Sequence, residues 1–134
     1  MERKEVMALF NKRPRNCLIC TANTKGEVNV AVYGSPRMID EDTVVLAVRN
    51  NRSYQNLQKN PKAAIIVVEP GEIKHDSKAV RVYLEVTDIE TDGDLLDQFK
   101  EEIGARAGKE VADSLQAALH LKITGVRPLI DPIS

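Results

Sequence analysis

The sequence predicts a mainly β chain with peripheral helices (α+β), built on six antiparallel strands closed into a small barrel. Three observations carry this. Six short runs rich in β-branched residues recur along the 134 residues, mostly separated by short polar turns. Strands nowhere alternate with long helices, and no Gly-x-Gly-x-x-Gly string is present, which excludes a parallel dinucleotide-binding sheet. Closing six antiparallel strands also removes exposed edges. Residues 1–134 are expected to form one domain, since a chain of this length buries a proper core.

Taken in order, residues 2–11 set Val6, Met7, Leu9 and Phe10 against Glu2, Arg3, Lys4 and Glu5. That spacing predicts an amphipathic helix, ended before Pro14, whose apolar face covers one end of the sheet. Residues 16–22 form the first strand and contain the string Cys17-x-x-Cys20. A redox pair of this spacing sits at a helix N-terminus, whereas in a strand residues three apart face opposite ways. Zinc needs two further ligands, and the two histidines, His75 and His120, stand singly in distant contexts. No metal site is expected, and both thiols are expected to be buried and inert.

Asn23-Thr24-Lys25-Gly26 is a hairpin turn. In the next strand Val28, Val30 and Val32 share one face, and Asn29, Ala31 and Tyr33 share the other. Gly34-Ser35-Pro36 interrupts it as a bulge or bend, and Arg37-Met38-Ile39 resumes it. The glycine serves either sheet closure or the close approach of a flat ligand. The run from Val44 to Val48 is a buried strand. Asn50 or Asn51 caps a short helix that carries Arg52 and Ser53 in its first turn and stops at Asn60-Pro61. The unpaired N–H groups and dipole of that helix start, with a guanidinium and a hydroxyl, make a phosphate seat or simply a capped, solvated turn. Residues 63–68 are a buried strand. Residues 79–89 form the longest one, with Val80, Val82, Leu84 and Val86 on one face and Arg81, Tyr83, Glu85 and Thr87 on the other. From Asp92 the period is helical, with Leu95, Leu96, Phe99 and Ile103 on one side. Residues 109–116 add a turn or two, and residues 119–124 form the last strand. Pro128 and Pro132 are expected to keep the tail from regular pairing.

A net charge of −1 and an aromatic content of 4% with no tryptophan give no electrostatic or stacking case for nucleic acid. No apolar run reaches membrane-spanning length, and the charged start lacks the apolar core of a signal peptide. A cytoplasmic protein without membrane or nucleic-acid partners is the expectation.

Arg52-Ser53, Asn56-Leu57 and Asn60-Pro61 before an apolar strand, with residues 29–36 upstream, form an ordered pattern. It resembles the FMN-binding split-barrel superfamily, which includes the pyridoxamine 5′-phosphate oxidase-like proteins, over residues 5–90. The resemblance implies a split β-barrel of Greek-key type and a homodimer with FMN at the subunit interface. It implies Arg52 and Ser53 as the phosphate-binding pair and Val32, Tyr33 and Gly34 along the isoalloxazine ring. It also implies Leu46, Ala47 and Val48 on the neighbouring strand end, leading into Arg49 and Asn51. Pro36 departs from the pattern by removing a donor near the ring's pyrimidine edge. True pyridoxamine phosphate oxidases are longer and end in an arginine-rich segment that residues 126–132 do not match, so that substrate is not carried over. No acid, base or nucleophile stands out, and the catalytic residues stay unassigned. The chain is expected to be a flavoenzyme moving hydride or electrons between a reduced donor and a small oxidised substrate. A flavin-binding electron carrier and a deazaflavin protein stay open beside it; haem has no supporting histidine pattern.

Overall fold

In a computed structural model describing residues 1–132, seven strands form a single antiparallel sheet. They are β1 (Asn16–Ala22), β2 (Val28–Val32), β3 (Arg37–Asp40), β4 (Thr43–Arg49), β5 (Lys62–Val68), β6 (Ala79–Glu90) and β7 (Leu115–Pro128). The helices are α1 (Arg3–Asn11), α2 (Arg52–Lys59), α3 (Asp94–Ala107) and α4 (Lys109–Asp113). The spatial order is β2-β1-β5-β6-β7-β4-β3.

Chain length dictates the sheet's shape. Laid flat, six spacings of ~4.8 Å would hold the edge strands β2 and β3 about 29 Å apart. Only residues 33–36 join them, and that connection reaches at most about 18 Å. The sheet is therefore curled, with β2 and β3 as unpaired edges on either side of a split.

Alternation then sorts the side chains. Val44, Leu46 and Val48 of β4 face the interior with Ile19, Ile65, Val82, Leu84, Leu119 and Leu121, all essentially without exposure. Val6 and Phe10 of α1 plug one end of this core. Val45 and Ala47 face outward into a second, smaller core, where Leu96 and Phe99 of α3 pack with Leu115 and Ala118. Fully burying each Leu or Phe contributes about 1.5–3 kcal/mol, so the helix is held mainly by two side chains.

Polar contacts aim α3. Glu90 Oε2 accepts from the Leu96 N–H at 2.8 Å and caps the helix from the strand before it. Gly93 between them has φ 154°, and a Cβ there would meet the Glu90 carboxylate at 2.8 Å. At the far side Arg37 Nη1 donates to Glu102 Oε2 at 2.7 Å, its guanidinium stacked 4.6 Å from the Phe99 ring centroid.

Several expectations need correction. There are seven strands, not six, because Arg37 does not resume β2. Residues 33–36 cross the split, and Arg37–Asp40 pairs with β4 at the opposite edge. The barrel is not closed by hydrogen bonds. The last strand runs from Leu115 to Pro128, which shortens α4 to end at Asp113. Pro128 stands opposite Val80 at the strand's end, where a missing N–H costs little, and its carbonyl accepts from Arg81 Nε at 2.8 Å. Cys17 and Cys20 are both free and on opposite faces of β1, but only Cys17 is buried; Cys20 is exposed.

The outward face of β2 is apolar. Val28, Val30 and Val32 are 82%, 59% and 78% exposed. Across the ladder they oppose Ala22, Cys20 and Leu18, and the face continues into Ala64 and Ile66 of β5.

Candidate functional site

The crossover 33–36 is pinned from both sides. Arg15 reaches under it, donating to the carbonyls of Phe10 at 2.6 Å, Gly34 at 3.1 Å and Pro36. Ser35 bonds the strand opposite: its Oγ accepts from the Ala47 N–H at 3.0 Å and donates to the Ala47 carbonyl at 3.2 Å. These contacts do the work of the ladder that Pro36, with no N–H, cannot continue.

At the end of β4 the chain turns sharply, the Asn51 N–H donating to the Arg49 carbonyl at 2.9 Å. Asn51 then caps α2, its Oδ1 accepting from the Tyr54 N–H at 3.1 Å. Its Nδ2 donates to Tyr33 Oη at 3.0 Å, which ties the cap to the end of β2.

Between these parts lies a cleft of about 320 Å³. Its floor is the crossover (Val32, Tyr33, Gly34, Ser35) with Ala47, and Asn51 and Arg49 stand at one side. Its roof comes from α3, α4 and the start of β7: Ile103, Arg106, Val111 and Leu115. The lining is mostly apolar, with the polar groups of Ser35 and Asn51 and the guanidinium groups of Arg49 and Arg106 among it. The volume lies at the low end of the range for small-molecule sites.

Gly34 is the telling position. Its φ is not positive, and a Cβ built on it would find nothing within 4 Å. Neither backbone conformation nor packing in this chain requires glycine there.

A second cleft, of about 310 Å³, lies across the start of α2, lined by Asn23, Glu27, Val28, Arg52, Gln55 and Asn56. The helix start thus stands between the two, Asn51 on one side and Arg52 on the other.

Of the residues singled out from sequence, Val32, Tyr33, Gly34, Ala47, Arg49 and Asn51 come together around the first cleft. Arg52 is exposed in the second. Leu46 and Val48 do not join them by side chain, being 0% and 1% exposed in the barrel interior, as strand alternation requires. Ser53 is 1% exposed, and its Oγ accepts from Asn29 Nδ2 at 3.3 Å, which turns it toward β2. His75 lies in an exposed loop and His120 on β7, and neither lines either cleft. Sequence reasoning missed Arg15, Ser35 as a structural hydroxyl, and the roof residues Ile103, Arg106 and Val111. Arg15 could have been suspected, because a charged residue just before a buried strand next to an aromatic helix end calls for partners.

A family model described as pyridoxamine 5′-phosphate oxidase matches residues 3–129. The chain belongs to that family. Within the family's wider fold, an FMN-binding protein from Syntrophomonas wolfei superposes with a TM-score of 0.83 at 24% identity, over 97% of this chain and 87% of that one. The heme storage protein HutZ from Vibrio cholerae gives 0.66 at 18% identity, covering 96% and 95%. An F420 reductase gives 0.68 at 18% identity, covering 90% and 94%. At these identities the likeness is one of fold. No curated protein sequence matches the chain. No helix among the described residues is long and apolar enough to cross a membrane.

Proposed function

We propose that this chain is an FMN-binding protein whose ring lies in the cleft over residues 32–34 and Ala47, with its phosphate at the open first turn of α2. The observation that carries this is Gly34: a side chain is missing where nothing in the protein fills its place, on the floor of an apolar cleft. A flat ring resting on the crossover backbone accounts for that absence. The family membership and the FMN-binding neighbour support the same cofactor.

The residues divide the work. Ser35 and Arg15 hold the crossover flat, Ile103 and Val111 cover the cleft and exclude water, and Asn51 fixes Tyr33 at its edge. Arg52, exposed beside the helix start, supplies a charge-assisted fork to the phosphate, with Arg49 near the opposite rim. Ser53, buried under Asn29, serves by seating α2 on β2. A bound flavin supplies hydride and one-electron chemistry at its own ring. The protein then moves reducing equivalents between a reduced donor and a small oxidised substrate, its residues binding and orienting both.

The partner in this reading is a second copy. The exposed valine row of β2 begins at Val28 beside Arg52 and ends at Val32 in the ring cleft. A second copy seated on that row would close both clefts and cover an apolar edge that soluble proteins otherwise protect.

The test is a titration of FMN and riboflavin into wild type and Arg52→Ala, followed by flavin fluorescence. Arg52→Ala should cost FMN about 2–3 kcal/mol, the range for a charge-assisted hydrogen bond. Riboflavin, lacking the phosphate, should bind both proteins alike. Equal losses for the two ligands would remove Arg52 from the phosphate seat. Tight F420 binding without FMN binding would replace the cofactor.

A further inference from the structure

A carboxylate stands where a phosphate would be least welcome. Glu27, at the end of the β1–β2 turn, lines the same cleft as Arg52 across the start of α2. Asn23 holds it there from two sides. Its Nδ2 donates to Glu27 Oε1 at 2.9 Å, and its Oδ1 accepts from the Glu27 N–H at 2.9 Å. No ion pair joins Glu27 to Arg52 among the described residues, so the guanidinium does not cancel the carboxylate by contact.

The charged side chains at this end of the molecule are therefore one cation and one anion. The other residues lining the cleft, Asn23, Val28, Gln55 and Asn56, are neutral. Ser53 is buried, with its Oγ turned to Asn29. A phosphate monoester carries about −1.5 to −2 at pH 7 and meets no net positive charge from these side chains. The dipole of α2 adds only about half a charge at its N-terminus. Glu27 thus takes back part of the attraction that Arg52 supplies, by a direct like-charge term that solvent and salt screen.

We propose that Glu27 opposes Arg52 at the phosphate seat, so that FMN is held mainly by its ring and equilibrates with free FMN as an exchangeable cofactor. The proposal rests on the flavin reading for the ring cleft. The effect of Glu27 itself applies to any phosphate bound at the start of α2.

FMN and riboflavin are titrated by flavin fluorescence into wild type, Glu27→Gln and Glu27→Lys, with a thermal melt of each. Glutamine keeps an Oε1 that accepts from Asn23 and removes only the charge. Glu27→Gln should tighten FMN about fivefold and Glu27→Lys more, the gain shrinking at high salt. Riboflavin, without the phosphate, should stay within about twofold in all three proteins. Wild type loaded with FMN should lose it on gel filtration, while Glu27→Lys retains more. Unchanged or weaker FMN binding in the folded Glu27→Gln protein overturns the role of Glu27, and so does an equal gain for riboflavin. Wild type that keeps one FMN per chain through gel filtration overturns the exchange. If FMN binds neither wild type nor Glu27→Lys, the flavin reading falls. Inorganic phosphate, followed by the backbone amide signals of Arg52 and Ser53 in NMR, then decides the role of Glu27: tighter binding in Glu27→Gln supports it, and unchanged binding overturns it.

Discussion

Cys17 sits under the barrel wall two residues from Arg15, and its thiol is pushed up, chiefly by burial, against the opposing pull of Arg15 and Arg13. A raised folded pKa means that the folded state keeps its proton longer than the unfolded chain does. The associated stability is complete below the unfolded thiol value of about 8.5 and is lost as pH rises through the higher folded value. Wild type should therefore lose stability on the alkaline side. Cys17→Ala should start lower, because of the small cavity, but show a flatter alkaline limb in urea melts at successive pH values. Parallel limbs would show that the thiol is not what titrates. At this scale the site was legible where chemistry and position coincide: an asparagine after a strand and before a helix caps it, as Asn51 does. The sequence places Ser53 in the first turn of α2 but gives no measure of which way that turn faces; the packing of Asn29 decides that.

The crossover and α3 are the elements that make the cleft, and each is held by a few side chains. Arg15→Met keeps the stem over Phe10 but leaves the Phe10, Gly34 and Pro36 carbonyls without their charged donor. It should cost about 2–3 kcal/mol in denaturant unfolding. Glu90→Ala removes the cap of α3 and should cost about 1 kcal/mol, read the same way. Hydrogen exchange should then quicken in α3 while the barrel interior stays protected; uniform acceleration would mean that the helix is not an independent layer. The helix itself was legible from Leu95, Leu96, Phe99 and Ile103, because periodicity reports a buried face directly. The separation of β2 from β3 was not. Residues 28–39 read as one interrupted strand, since local pattern cannot distinguish a bend from a jump between the two edges of a curled sheet. Pro128 misled for a related reason: a proline ends a strand only where its neighbour needs the missing donor.

For the whole molecule, the proposed dimer would form on the apolar face around Val30, and Cys20 would report on it. Cys20 stands directly opposite Val30, exposed in a single chain. In the proposed dimer it is covered. Wild type should sediment at twice the chain mass with Cys20 slow to alkylate, whereas Val30→Asp should run as a monomer with Cys20 reactive. A wild-type monomer that retains FMN would remove the second copy from the site. Alternation told which residues of β2 share a face, but not that the valine row is the outward one. That follows from Asn29 and Tyr33, whose polar groups meet Ser53 and Asn51 of the α2 region on the inner side.

In the proposed complex a flat cofactor occupies the space that Gly34 leaves. A side chain at that position needs no positive φ, and its Cβ meets no atom of the folded protein within 4 Å. FMN titrated into Gly34→Val beside wild type tests this most directly, with a thermal melt of each. The melt should be unchanged and the FMN affinity reduced about tenfold or more, at least ~1.4 kcal/mol. Wild-type FMN affinity in the folded Gly34→Val protein would contradict it.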